Sequence, residues 1–177
     1  MNRAQIIMAR FDMAEYRLCR ELNRGADLAW VRMPFQLASR LGDGIVWYLL
    51  IGALPLLYGR AAARPALVMA VTGLIGILIY KWLKSHLLRE RPFIRHPGIT
   101  LAMPPLDRYS FPSGHTLHAV SFTWLAVERF PDLAWILIPL CCLIAGSRLV
   151  LGLHYPSDVL AGGGIGVALA LVAQNFM

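Results

Sequence analysis

Five apolar runs, separated by short polar connections, leave this chain few ways to fold. They span about 45–58, 65–83, 116–127, 133–151 and 159–177, and the last holds no charged residue. The first run extends backward at an angle through Trp30 to Leu41. Several runs fall short of the roughly 20 residues that a helix needs to cross a bilayer. Their ends must therefore include flanking polar residues or meet a locally thin bilayer. Backbone groups in lipid must be satisfied internally, which leaves helices or closed barrels, and these runs lack the period-two alternation of barrel strands. The expected fold is all-α: a polytopic membrane helix bundle of about five transmembrane helices, or six if a further span lies within residues 1–44. An N-terminal amphipathic interfacial helix is expected in addition.

Composition agrees. Hydrophobic residues make up 58% of the 177 and charged residues only 15%, whereas soluble domains are nearer half and a quarter. The length suits a single domain. Cys19, Cys141 and Cys142 give no disulfide framework and read as packing residues. The net charge of +7 is not gathered on one face with interleaved aromatics, which argues against nucleic acid and for anionic headgroups or phosphate. No cleavable signal peptide is expected, because Arg10 and Asp12 interrupt before an apolar core forms. From Phe11 to Asn23, Phe11, Leu18, Cys19 and Leu22 suit one face of a helix lying in the interface plane, with Arg17, Arg20, Glu21 and Arg24 on the polar side. A solvated helix packed on its own bundle is the alternative.

Two connections carry the chemistry. Residues 84–115 lie between the second and third runs, and 148–158 between the fourth and fifth. Two crossings separate them, so both fall on one membrane face. Ionisable groups beside membrane spans are costly and mark sites. Lys84 and Arg91 are seven residues apart, about two helical turns, so they share a face as the second span leaves the lipid, and Pro92 ends that helix. Two cations on one face suit a dianionic phosphate. Interfacial snorkelling, open equally to Lys81, Arg89 and Arg95, is the simpler account of each alone. Glu90 is expected to partner a nearby arginine at the surface.

Pro112-Ser113-Gly114-His115 precedes the third run. Ser113 suits an N-cap, Gly114 lets backbone approach an anion, and a helix N-terminus offers free N–H groups to phosphate. His115 falls within reach of that anion; an ordinary cap beside a surface histidine is the alternative. His118, one turn on, could line the same pocket, although core or interface placement is the simpler expectation. Ser147-Arg148, His154 and Asp158 close the set. A carboxylate four residues after a histidine can fix its tautomer and stabilise its cation; a helix-capping Asp158 is the alternative.

Together, Lys84-x6-Arg91-Pro92, Pro112-Ser113-Gly114-His115 and Ser147-Arg148-x5-His154-x3-Asp158 resemble the three-part signature of the type 2 phosphatidic acid phosphatase family. Every signature position is matched, over roughly residues 84–158. Leu41-Gly42-Asp43-Gly44 before a span adds a weaker likeness to small bacterial members. The resemblance implies His154 as nucleophile through a phosphohistidine, Asp158 orienting it, and His115 as acid and then base. It implies phosphate binding by Lys84, Arg91, Arg148, Ser113 and the backbone at Gly114. Three cations can stabilise the transferred charge without a metal, so no metal and no cofactor are expected.

The implied substrate is a lipid phosphate: undecaprenyl diphosphate, phosphatidic acid or phosphatidylglycerophosphate, the first being favoured. The expected partners are that substrate and membrane lipids, with no nucleic acid; the oligomeric state is not readable. A lipid phosphotransferase sharing the phosphohistidine, a vanadate-dependent haloperoxidase and a non-catalytic binder of anionic lipid are the alternatives. The haloperoxidases are larger soluble proteins, and a binder has no need of an oriented nucleophile. Arg89, Arg91, Arg95, Arg108 and Arg148 lie on the site's face against Arg60, Arg64 and Arg129 opposite, which by the positive-inside rule would turn the site to the cytoplasm. Phosphate binding accounts for some of the former. The resemblance implies a bacterial inner membrane with the site on the extracytoplasmic side.

Overall fold

The computed structural model describes residues 3–177, with side chains described for Arg10 and from Asp12 onward. The expected apolar role of Phe11 therefore lies outside the described residues. Eight α-helices follow in order: α1 Arg3–Asn23, α2 Ala29–Gly42, α3 Ile45–Tyr58, α4 Ala63–Leu87, α5 Pro92–Arg95, α6 Gly114–Arg129, α7 Ala134–Val150 and α8 Pro156–Ala173. The described residues form no strand beyond one isolated bridge between Glu90 and Tyr109.

Among the described residues three helical stretches are long and apolar enough to cross a membrane: Arg60–Leu87, Pro131–Val150 and Pro156–Phe176. The pair α2 and α3, bent by 56° at Asp43-Gly44, makes a fourth if it counts as one span. The third expected run, α6, has only 16 residues, short of a full crossing. It is the hub of the bundle, packing most extensively on α8 and then on α7 and α4. Outward faces carry Leu56, Leu57, Trp135, Leu160 and Val172, apolar residues that water would not favour. The core, with Trp47, Leu54, Met69, Phe122, Leu125 and Ile144, lies between α3, α4, α6 and α7.

The closeness of α6 and α8 is built into two glycines. A Cβ at Gly162 would stand 2.4 Å from the Ser113 carbonyl oxygen, and one at Gly166 would stand 2.6 Å from that of Leu117. Only glycine permits such backbone approach. As a result the starts of the two helices meet, and the Ser113 N–H donates to the Asp158 carbonyl oxygen at 3.0 Å.

Two expectations are corrected. The buried stripe of α1 is Glu15, Cys19 and Asn23, spaced at helical i, i+4, i+8. Leu18 and Leu22, expected to share one face with Cys19, are exposed while Cys19 is buried. The stripe is polar because its partners are polar. Asn23 holds the Thr100 backbone by a two-way pair of hydrogen bonds and also donates to the Val150 carbonyl oxygen. Second, α4 does not carry Arg91. Leu88, left-handed at φ 46°, ends the helix with its N–H on the Lys84 carbonyl oxygen. Lys84 and Arg91 therefore do not share a helix face. The proline-rich connection brings them together instead, pinned by Asn23 and by Gln36 donating to the Ala102 carbonyl oxygen.

Candidate active site

One cavity of about 880 Å³ gathers Lys84, Arg91, Gly114, His115, Arg148 and His154 at one end. Much of its remaining wall comes from α3 and α4, with Trp47, Ile51, Gly52, Ala70, Leu74 and Ile77. A strongly basic mouth thus continues into an apolar groove.

His154 follows α7 in a tight turn: the N–H groups of Leu153 and His154 both donate to the Arg148 carbonyl oxygen at 3.0 Å. The His154 side chain is buried, with Nε2 beside Arg91 Nη1 at 3.3 Å. Nδ1 lies 3.5 Å from Asp158 Oδ2 and makes no hydrogen bond among the described residues. The expected His154–Asp158 pair is thus a close approach in this structure rather than a hydrogen bond. Asp158 Oδ2 is instead turned to the Tyr155 N–H, at 2.8 Å, in a capping box at the start of α8. Capping and proximity to His154 occur together. Burial, then the charges of Arg91, Arg148 and Lys84, hold the His154 imidazole well below its ordinary value. Its ring is therefore held neutral, with Nε2 turned toward the Arg91 guanidinium.

Lys84 and Arg91 converge on a carboxylate. Lys84 Nζ donates to both oxygens of Asp107 at 2.8 and 2.7 Å, and Arg91 Nη2 to Oδ1 at 2.7 Å. Arg91 also donates through Nη1 to the Leu153 carbonyl oxygen at 2.7 Å. Burial pushes the Asp107 carboxyl up, but the Lys84 hydrogen bond and the charges of Lys84 and Arg91 outweigh it and leave it below the usual carboxylate range. The two cations are thus arranged to hold an oxyanion. Arg148, nearly fully buried, donates through Nη1 to Ser39 Oγ at 2.9 Å, and its Nε has no partner among the described residues. A buried arginine with unused donors is costly unless an anion completes it.

His115, in the first turn of α6, places Nε2 2.6 Å from Asp43 Oδ1. Ser113 is the N-cap of α6 as expected, its Oγ accepting from the Thr116 N–H. It is fully buried and stands outside the cavity wall. His118 does line the cavity, with Nε2 on the Gly73 carbonyl oxygen and its ring stacked on Phe122. Glu90 makes no ion pair among the described residues.

Four residues here are missed by motif reading. Arg89, expected only to snorkel, binds Asp158 Oδ1, Ser157 Oγ and Glu15 Oε2, each at 2.6 Å. Its guanidinium also lies 4.0 Å from the Tyr155 ring centre. Burial alone would lower its affinity for a proton; the Asp158 and Glu15 carboxylates outweigh that and raise it. Glu15, buried on α1, completes the clamp by accepting from the Ser157 N–H at 2.8 Å. Asp107 and Asp43 are the others. Asp43 alone had a local signal, as a carboxylate between two glycines at a helix break.

Residues 61–177 match the sequence profile of the PAP2 superfamily. Undecaprenyl-diphosphatase BcrC of Bacillus subtilis is 34% identical over 133 residues, covering 75% of this chain and 68% of that protein. An undecaprenyl-diphosphatase of Sulfolobus acidocaldarius is 32% identical over 126 residues, covering 70% of this chain and 60% of that protein. In fold, the chain is similar to a solved transmembrane PAP2-type phosphatidylglycerolphosphate phosphatase of Bacillus subtilis. The TM-score is 0.78 at 22% identity, over 94% of this chain and 86% of that one.

Proposed function

Because the chain belongs to the PAP2 superfamily, we propose that it is a membrane lipid phosphatase working through a phosphohistidine on His154. One observation carries the reading: the neutral Nε2 of His154 stands beside Arg91, in a basic mouth that opens onto an apolar groove. A phosphate at that mouth, with its lipid chain between α3 and α4, uses both halves of the cavity. A soluble phosphoester would leave the apolar half idle.

Phosphate displaces the Asp107 carboxylate from Lys84 and Arg91 and takes up the free donors of Arg148. His154 Nε2 attacks phosphorus, forming the N–P bond as the P–O bond to the lipid breaks. His115 gives its proton to the leaving oxygen, then takes one from the water that cleaves the N–P bond. Asp158 supports the imidazolium of His154 at short range through the charge it shares with Arg89. Gly114 contributes at the mouth through its backbone; Ser113 acts by fixing the start of α6. The scheme needs no metal, and activity should survive chelation.

Both sequence relatives are named for undecaprenyl diphosphate, which favours a polyprenyl diphosphate as substrate over phosphatidic acid or phosphatidylglycerophosphate. The five-span arrangement, with α6 as its short central member, and an extracytoplasmic site in a bacterial inner membrane belong to the same proposal. The test is phosphate release by the detergent-solubilised protein over a panel of lipid phosphates and diphosphates, beside His154→Ala. Release that vanishes in the variant is expected. Release that persists would remove the nucleophile, and release that requires a non-water acceptor would make the protein a phosphotransferase.

A further inference from the structure

The cavity that holds His154 also holds a carboxylate–imidazole pair, Asp43 with His115, and no signature motif contains its acid. Asp43 lies at the 56° break between α2 and α3. The break is built for close approach. A Cβ at Gly42 would stand 3.2 Å from His115 Cδ2, and Gly44 takes φ 133°, a conformation side chains rarely adopt. Both glycines let the chain turn against the imidazole, and the turn delivers the Asp43 carboxylate to His115 Nε2 at 2.6 Å. Asp43 and His115 both line the cavity.

We propose that Asp43 is the positioning residue for His115, fixing its ring and stabilising the imidazolium from which the leaving lipid oxygen takes its proton. The proposal rests on the phosphatase reading above. A carboxylate on Nε2–H leaves Nδ1 as the nitrogen that releases and recovers the catalytic proton. The need for such a partner is electrostatic. Arg148 lines the same cavity and its charge disfavours a further positive charge on His115. It binds phosphate at the expense of the acid beside it. Asp43 offsets that cost without entering the phosphate shell, because Lys84 and Arg91 are engaged by Asp107 and Arg148 by Ser39. In the first step the proton leaves Nδ1 for the lipid oxygen as the P–O bond breaks. In the second, Nδ1 recovers a proton from the attacking water.

The test separates an acid's partner from a structural strut by varying the leaving group. Asp43→Asn keeps a hydrogen-bond acceptor for Nε2–H and loses the charge. It is assayed in detergent on phosphatidic acid, whose alkoxide must be protonated as it leaves, and on 4-nitrophenyl phosphate, whose nitrophenolate need not be. On phosphatidic acid, kcat should fall about 10–100-fold with KM little changed, part of the 10²–10⁴ that acid–base catalysis contributes. The nitrophenolate burst should stay within about threefold of wild type, since it requires no acid. Asp43→Glu, which restores the charge, should recover part of the loss. An equal loss on both substrates, or none on either, overturns the role of Asp43 and leaves His115 as acid. A His115→Ala variant as active as wild type on phosphatidic acid would remove the acid role and Asp43 with it, whereas a wild type that releases phosphate from none of the lipid phosphates and diphosphates would remove the phosphatase reading.

Discussion

Replacing Arg89 by methionine should unfold the site from the outside in. The guanidinium answers two carboxylates at once: Asp158, with no exposed surface, and Glu15, with 5%. Methionine keeps much of the stem that packs on Tyr155 and removes the charge and the donors. Each carboxylate then retains backbone donation, Tyr155 N–H for Asp158 and Ser157 N–H for Glu15, but no cation. Removing one member of a buried ion pair costs about 3–5 kcal/mol. For a chain of this size that corresponds to a fall in Tm of roughly 6–20 °C. Thermal unfolding in detergent measures it, with phosphate release assayed in parallel below the transition. The double variant Glu15→Gln/Arg89→Met should be less destabilised than the two single losses added together, because the second change removes a charge already stranded by the first. An Arg89→Met protein that melts within a degree or two of wild type and turns over normally would refute the clamp. Strict additivity in the cycle would refute the coupling of α1 to it.

Three further outcomes follow from the geometry. Asp107→Ala frees Lys84 and Arg91 of their internal anion, so inorganic phosphate should inhibit more tightly, on the order of tenfold; weaker inhibition would mean that Asp107 holds the cations in place. His154 is held well below its ordinary value of about 6.5, chiefly by burial. The acid limb of kcat/KM should therefore lie below pH 6.5. In stability the unfolded chain takes up that proton near pH 6.5 while the folded chain does not, so this contribution is intact above 6.5 and is lost as pH falls toward the depressed folded value; an acid limb at or above 6.5 would contradict the burial. Gly166→Val forces a side chain against the Leu117 carbonyl oxygen and should cost about 1–3 kcal/mol or more by overpacking, readable as a lowered Tm; an unchanged Tm would mean that α6 and α8 part freely.

The helices were legible where apolar composition decides the outcome. The expected run at 45–58 is α3, residue for residue, and the backward extension at an angle is α2 beyond its bend. The motif cations and histidines meet in one cavity. What escaped was polar and distant. On α1 the apolar pattern groups Cys19 with Leu18 and Leu22 on one face, but Cys19 is buried with Glu15 and Asn23 while Leu18 and Leu22 are exposed. Glu15 contacts Ser157 across 142 positions, and no local spacing encodes such a pair. Arg89 was masked by its neighbours: in a run with Lys84, Arg91 and Arg95, nothing in residue type separates a clamp from a surface cation. The end of α4 was missed because a leucine, rather than glycine, takes the left-handed cap at Leu88.

The span of the Glu15–Arg89–Ser157 clamp sets an order of events in biosynthesis. Glu15 is made early, Arg89 midway and Ser157 near the end, so a nascent chain carries its acidic anchor for most of translation without a mate. Chains emerge from the amino end at about 5–20 residues per second. The first helix therefore waits roughly 7–30 seconds for the last to arrive, whatever else has already inserted. A polypeptide stalled before Ser157 has its basic mouth but lacks the Asp158 carboxylate behind His154. On the proposed mechanism, hydrolysis begins only when the two extremities of the chain close on each other, so that catalysis would report completed assembly.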